Sequence, residues 1–225
     1  TYEKWGTIPT QKGKLADMED LYEMVKNGYT NSEILAINND YILHIDKIDK
    51  LRTMMLQEKY KDTRRLDLKV TYISGATGKG KTRSILDAYG DSNVYRVTDY
   101  EHAFDNYKCE PVLAFEEFRS SLKISDMLNY LDIYPMVLPA RYSNRYACYT
   151  SVFITTNWEL EKQYEEMQKN SPESWKAFLR RIHEVQIFNE DGTIDIYHSV
   201  DEYLKRNETF QPVTKAEQLE LPFKE

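Results

Sequence analysis

The sequence predicts an α/β protein: a largely parallel sheet flanked by helices, with a small N-terminal helical oligomerisation unit. Three observations carry that prediction. Apolar residues recur at helical spacing from Leu15 to about Tyr60. Beyond Leu66, short apolar runs alternate with helical patterns, which implies strands joined by helical crossovers. A glycine-rich turn, Gly75 to Thr82, lies between the first of those strands and the first of those helices.

Composition sets the outer bounds. The 225 residues are enough for one sizeable core and a small appended unit. No run approaches the roughly 18 apolar residues of a bilayer span, so no membrane partner is expected. Thr1-Tyr2-Glu3-Lys4-Trp5 has neither the basic region nor the apolar run of a signal peptide, and the missing initiator Met suggests an excised fragment. Cys109 and Cys148, the only cysteines, make no disulfide framework, so a reducing cytoplasm is the expected location. His44, His102, His183 and His198 are scattered and lack metal-ligand spacing. A net charge of −7 disfavours binding nucleic acid over a broad face, so any such site is expected to be a local basic spot.

Residues 1–14 read as a linker. A first helix places Leu15, Met18, Leu21, Tyr22 and Val25 on one stripe and stops at Asn27-Gly28. Thr30-Asn31-Ser32-Glu33 is a capping box opening a second helix. A third runs from about Tyr41 to Tyr60, with Ile42, Ile45, Ile48 and Leu51 on one stripe. Residues 15–63 therefore form a helical unit, either packing against the main domain or serving as a collar where subunits meet. Residues 64–207 are the main domain. In it Leu66, Leu68, Val70 and Tyr72 alternate with Asp67, Lys69 and Thr71, as in a half-buried strand. A helix through Ile85 and Leu86, a strand at 112–115, a helix at 125–131 and a strand at 151–155 follow. Asp191-Gly192 turns a closing hairpin between 184–188 and 193–197. Residues 208–225 read as a tail.

The chemistry concentrates at the turns. Gly75-Ala76-Thr77-Gly78-Lys79-Gly80-Lys81-Thr82 fits G-x-x-x-x-G-K-[ST]. Its glycines let N–H groups curl around phosphates, Lys81 supplies a cation to the β and γ phosphates from a solvent-open loop, and the Thr82 hydroxyl suits Mg2+. ATP and Mg2+ are the expected ligands. Val112 to Phe115 runs into Glu116-Glu117, an apolar strand ending in two carboxylates, one for the metal and one for the attacking water. Glu116 is assigned to the metal with Thr82; the residues leave open which carboxylate does which job. Val152 to Thr156 ends at Asn157, placed to meet a γ-phosphate. Arg180 and Arg181 sit at a helix end and suit an arginine finger acting on a neighbouring subunit, either one serving. Arg141-Tyr142-Ser143-Asn144-Arg145 suits a hairpin that touches phosphates and stacks on bases, with Arg141, Tyr142, Asn144 and Arg145 as the contacts.

The order and spacing of these motifs resemble the superfamily 3 helicase domain of replication initiator (Rep) proteins from circular single-stranded DNA viruses and bacterial plasmids. The extra glycine at Gly78, Phe104-Asp105-Asn106-Tyr107, Phe115-Glu116-Glu117-Phe118, Tyr134-Pro135, Ile154-Thr155-Thr156-Asn157 and Leu179-Arg180-Arg181-Ile182 carry the likeness, with Trp5-Gly6 and Gly13 to Asp17 similar to the linker and first collar helix. It covers roughly residues 5 to 190. It implies a P-loop AAA+-like sheet, ATP hydrolysis and a hexameric ring translocating on single-stranded DNA in rolling-circle replication. Two departures stand out. Glu116 and Glu117 occupy positions where that family usually has Asp. The endonuclease motif, His-x-His with a nucleophilic Tyr, is not in this chain, so no nicking activity is expected of it. Rival readings are an RNA helicase domain of an RNA virus and a non-translocating helicase loader. In the tail, Gln218, Leu219, Leu221 and Phe223 resemble peptides that dock on the bacterial sliding clamp, which implies a bacterial host.

Overall fold

The computed structural model describes residues 12–141 and 145–206, and the chain divides between Lys59 and Tyr60 into two compact units. Among the described residues no helix is long and apolar enough to cross a membrane.

The first unit holds α1 (Lys12–Lys26), α2 (Asn31–Ile37), a 3-10 turn (Asn39–His44) and most of α3 (Ile45–Tyr60). Gly28, at φ +82°, ends α1: the Tyr29 N–H reaches back to the Met24 carbonyl at 3.1 Å, a left-handed cap that favours glycine. Thr30 and Glu33 form the reciprocal capping box of α2, with bonds of 3.2 and 2.7 Å. The third helix is shorter than its stripe suggests. The Asn38 side chain accepts from the Asp40 N–H at 3.0 Å and winds 39–44 into a 3-10 turn. Tyr41 consequently points inward, its hydroxyl donating to the Asp17 carbonyl at 2.7 Å, and Ile42 is left 63% exposed. Leu21, Val25, Ile34, Tyr41 and Ile48 form the small core, while Met18 and Tyr22 of the expected stripe are exposed.

The second unit is an α/β structure on a mostly parallel six-stranded sheet. Its strands are β1 (Lys69–Gly75), β2 (Val94–Val97), β3 (Val112–Phe115), β6 (Ser151–Thr156), β7 (Glu184–Phe188) and β8 (Ile194–Tyr197), in the order β2-β3-β6-β1-β7-β8. All neighbours are parallel except β7 and β8. A two-stranded ribbon, β4 (Val137–Leu138) with β5 (Arg145–Tyr146), stands apart. The helices are α4 (Lys81–Tyr89), α5 (Ile124–Tyr130), α6 (Glu165–Asn170), α7 (Pro172–Leu179) and α8 (Val200–Leu204).

The alternating pattern from Leu66 belongs to only part of a strand. The Leu68 N–H donates to the Arg65 carbonyl in a turn, Leu66 is 72% exposed, and the ladder begins at Lys69. Central β1 is then buried on both sides, as parallel strands covered by helices are. Val70 and Tyr72 join the larger core with Leu113, Ile154 and Phe178; Ile73 joins Ile85, Val112 and Ala114 beneath α4. Strand β2 was not anticipated from sequence; its four residues include Arg96 at an exposed position.

Cys109 and Cys148 form a disulfide, with Cα atoms 5.1 Å apart, correcting the expectation of two unpaired thiols. They precede β3 and β6, which lie side by side, so strand pairing brings together residues 39 positions apart. With Cys109 and Cys148 paired, the cysteines no longer point to a reducing compartment.

Candidate functional site

Because β1, β3, β6 and β7 run parallel, their C-terminal ends share one edge of the sheet. Ser74 pairs with Thr156, Gly75 with Phe188 and Phe115 with Ile154, so the turns leaving β1, β3 and β6 emerge together. Open α/β sheets place ligand crevices at such edges. The glycine-rich loop, the two carboxylates and Asn157 are thus brought together although Gly75 and Asn157 are far apart in sequence.

The Gly75–Thr82 loop is supported by the closing hairpin. A Cβ on Gly75, at φ +148°, would lie 2.5 Å from the Phe188 carbonyl oxygen. Gly78 and Gly80 take φ of +83° and +86°. Lys79 Nζ donates to the Glu190 carbonyl at 2.8 Å, tying the loop to the turn between β7 and β8. Gly80 caps α4 without any side-chain bond, leaving the first N–H groups of that helix directed into the loop. Lys81 departs from the expected solvent-open placement. It is 6% exposed, and its ammonium donates to the carbonyls of Gly75 and Ala76 at 2.7 and 2.9 Å. Burial lowers its pKa, an effect opposed by the Glu117 carboxylate. Thr82, the first residue after it, is half-buried.

The adjacent carboxylates differ. Glu116 is 13% exposed and bound by both Arg96 guanidinium nitrogens Nε and Nη2, the latter at 2.8 Å. Glu117 is 55% exposed, has φ +49°, and is the carboxylate that Lys81 senses. Arg119 sits between Glu117, at 3.6 Å, and Asn157, whose Oδ1 accepts from Nε at 3.2 Å. Gln163, fully buried, holds this turn. Its Oε1 accepts from the Ser120 N–H at 2.7 Å and hydroxyl at 2.9 Å, and its amide donates to the Phe118 carbonyl and the Tyr72 hydroxyl, each at 3.0 Å. Arg96, Arg119 and Gln163 were missed in sequence. Arg119 directly follows the acidic motif, which is a usable signal; Arg96 and Gln163 have none.

The two arginines after α7 separate. Arg181 pairs with Asp132 and donates to the Ala177 carbonyl at 2.9 Å. Arg180 is exposed and has no side-chain hydrogen bond or ion pair among the described residues. The ribbon arginines both contact Asp105. Arg141 binds Asp105 through its N–H at 3.0 Å and its Nε at 2.6 Å, and those bonds hold the Asp105 carboxyl below the ordinary carboxylate value. Arg145 Nη2 reaches the Asp105 carbonyl at 3.4 Å. Tyr142, Asn144, Gln218, Leu219, Leu221 and Phe223 lie outside the described residues.

The described residues contain no cluster of three or more His, Cys, Asp or Glu side chains placed to hold a metal. A magnesium ion held by one hydroxyl, one carboxylate, phosphate oxygens and water does not need one. The donor set of Thr82 and the exposed Glu117 carboxylate fits that chemistry, whereas Glu116, the carboxylate expected there, has both oxygens bound by Arg96. Chemically, the edge combines amide donors, a buried cation, an exposed carboxylate and an exposed amide side chain, a set suited to an oligophosphate and a water molecule. Neither protein-family models nor curated proteins yield a match to this chain.

Proposed function

We propose that this chain is the ATP-hydrolysing motor of a replication initiator, a superfamily 3 DNA helicase on a P-loop AAA+-like fold. The observation that carries this reading is the convergence of the Gly75–Thr82 loop, the Glu116-Glu117 turn and Asn157 at one sheet edge.

In this reading the loop amides receive the phosphates and Lys81 exchanges the Gly75 and Ala76 carbonyls for β and γ oxygens. Magnesium, when bound, neutralises phosphate charge; Thr82 and a carboxylate would hold it. Arg96 already neutralises Glu116, so Glu117, half-exposed and facing Lys81, orients the water. Water oxygen attacks the γ-phosphorus, the bond to the β–γ bridging oxygen breaks, and ADP and inorganic phosphate leave. Glu117 accepts the proton as the water bonds. Arg180, exposed and unpaired among the described residues, is the finger for a neighbour's phosphate, and Arg181 anchors its turn. A finger acting in trans requires a subunit interface, and a hexameric ring gathered by the helical unit would supply one.

Single-stranded DNA is assigned to the ribbon at Arg141, Tyr142, Asn144 and Arg145. The Asp105 contacts give Arg141 and Arg145 a second role, bracing the ribbon. Docking of the Gln218–Phe223 segment on a bacterial sliding clamp, and hence a bacterial cytoplasmic setting, completes the proposal.

Lys81→Ala tests it. ATP turnover should fall at least about a thousandfold while the thermal melt stays cooperative, with at most a modest downward shift from the two loop carbonyls that lose their donor. Near-normal turnover by the folded variant would remove the reading.

A further inference from the structure

We propose that Arg119 is a phosphate-sensing cation acting within its own subunit. Without nucleotide it holds Glu117 and Asn157; when the γ-phosphate of ATP is present it moves to that phosphate and releases both. The inference rests on the ATP-hydrolysing reading of the site and adds to it the group that distinguishes ATP from ADP.

Placement is the first argument. The guanidinium bridges the two side chains assigned to the reacting end of ATP, at 3.6 Å from Glu117 and 3.2 Å from Asn157. Glu117 in turn lies within the electrostatic reach of Lys81. Arg119 therefore stands at the two side chains that this reading assigns to the γ-phosphate end of the nucleotide.

The strength of its contacts is the second. Arg119 is 48% exposed and makes two long, single-point contacts. Exposed pairs of that kind are weak, whereas a phosphate offers a guanidinium short bidentate bonds. Arg96 is the internal control. It grips Glu116, 13% exposed, through two short parallel bonds, and has no reason to leave.

The backbone around Arg119 is held, which leaves its side chain as the part that moves. Glu117 and Ser120, on either side of Arg119, take left-handed φ of +49° and +53°. Gln163 pins Phe118 and Ser120, and the Phe118 N–H donates to the Thr155 carbonyl at 2.9 Å. With the backbone held, occupancy of the site is read by rotation of one long side chain.

The test is calorimetric titration of the full chain with ADP and with the β,γ-imido analogue of ATP, beside ATP turnover and thermal melting. Arg119→Ala should leave ADP affinity within about twofold, weaken the analogue at least about tenfold and lower turnover at least about a hundredfold. Arg119→Lys, which keeps the charge without the fork, should recover part of the analogue affinity. Equal losses for ADP and analogue, or unchanged analogue affinity in folded Arg119→Ala, would overturn the inference. Lys81→Ala separates it from its premise: if that variant binds both nucleotides like the parent protein, the site reading fails, and if it loses both while Arg119→Ala loses neither, only the Arg119 inference fails.

Discussion

Two turns leave buried parallel strands at the same sheet edge, and they reach left-handed backbone by opposite means. The turn after β1 uses glycine at 75, 78 and 80. The turn after β3 uses Glu117 and Ser120, residues that pay a steric penalty there. Glycine makes the first turn self-sufficient. The second is imposed by Gln163, 43 residues from Ser120, and by the Phe118–Thr155 bond. Non-glycine residues persist in such conformations where the surroundings over-determine them, and that is also where side chains for chemistry are held in place. The difference teaches that a loop proposed to cradle phosphates through its amides needs bare backbone, whereas a turn presenting a carboxylate and a guanidinium must keep its side chains and take its shape from elsewhere.

The comparison can be broken hardest at Gly75. Gly75→Ala drives a Cβ into the Phe188 carbonyl, 2.5 Å away on a neighbouring strand that cannot retreat alone. The expected cost is about 3 kcal/mol, seen as a melting temperature lower by roughly 6–12 °C, with loss of nucleotide binding. An unchanged melt would show that the β1–β7 contact is looser than described.

Gln163→Ala should cost somewhat less, about 2–3 kcal/mol by denaturant titration, because it leaves the Ser120 N–H, the Phe118 carbonyl and the Tyr72 hydroxyl without a shared partner. Turnover should fall in the same variant at temperatures where it stays folded, since Glu117 and Arg119 lose their support. Loss of stability with full turnover would mean that the turn holds its shape without Gln163.

The finest discrimination comes from exchanging the two strategies. Glu117→Gly should be neutral or stabilising by up to about 1 kcal/mol, strain relief outweighing the greater freedom of the unfolded chain, yet abolish turnover. Gly78→Ala, with no atom within 4 Å of the added methyl, should cost only about 1–2 kcal/mol, all of it backbone strain. If Glu117→Gly instead destabilises, the positive φ at 117 carries no strain and the contrast between the turns collapses.

How much was legible follows the range over which each feature is encoded. The capping box at Thr30 and Glu33 and the hairpin turn at Asp191-Gly192 are formed as the sequence predicts, each closed by bonds between residues two or three positions apart. The strands at 112–115 and 184–188 match their apolar runs. Alternation misled at Leu66, because a strand covered on both faces has no exposed side for polar residues to mark. The stripe through Ile42 failed because one asparagine side chain, Asn38, overrode helical periodicity with a local turn.

By itself the sequence determined the pieces whose reasons lie within a few residues: where helices start, where glycines let the backbone bend left-handed, and which turns carry charge. Only the tertiary structure decided which of those charges meet. It placed β6 between β1 and β3, so that Asn157 reaches the acidic turn, and joined Cys109 to Cys148. It also gave Glu116 to Arg96 and Arg181 to Asp132, leaving Glu117 and Arg180 exposed. Neighbouring side chains of the same type are indistinguishable to local preference. Their roles diverge because strand order, set by burial of the whole sheet, decides which neighbour finds a counter-charge inside the protein and which is left facing solvent.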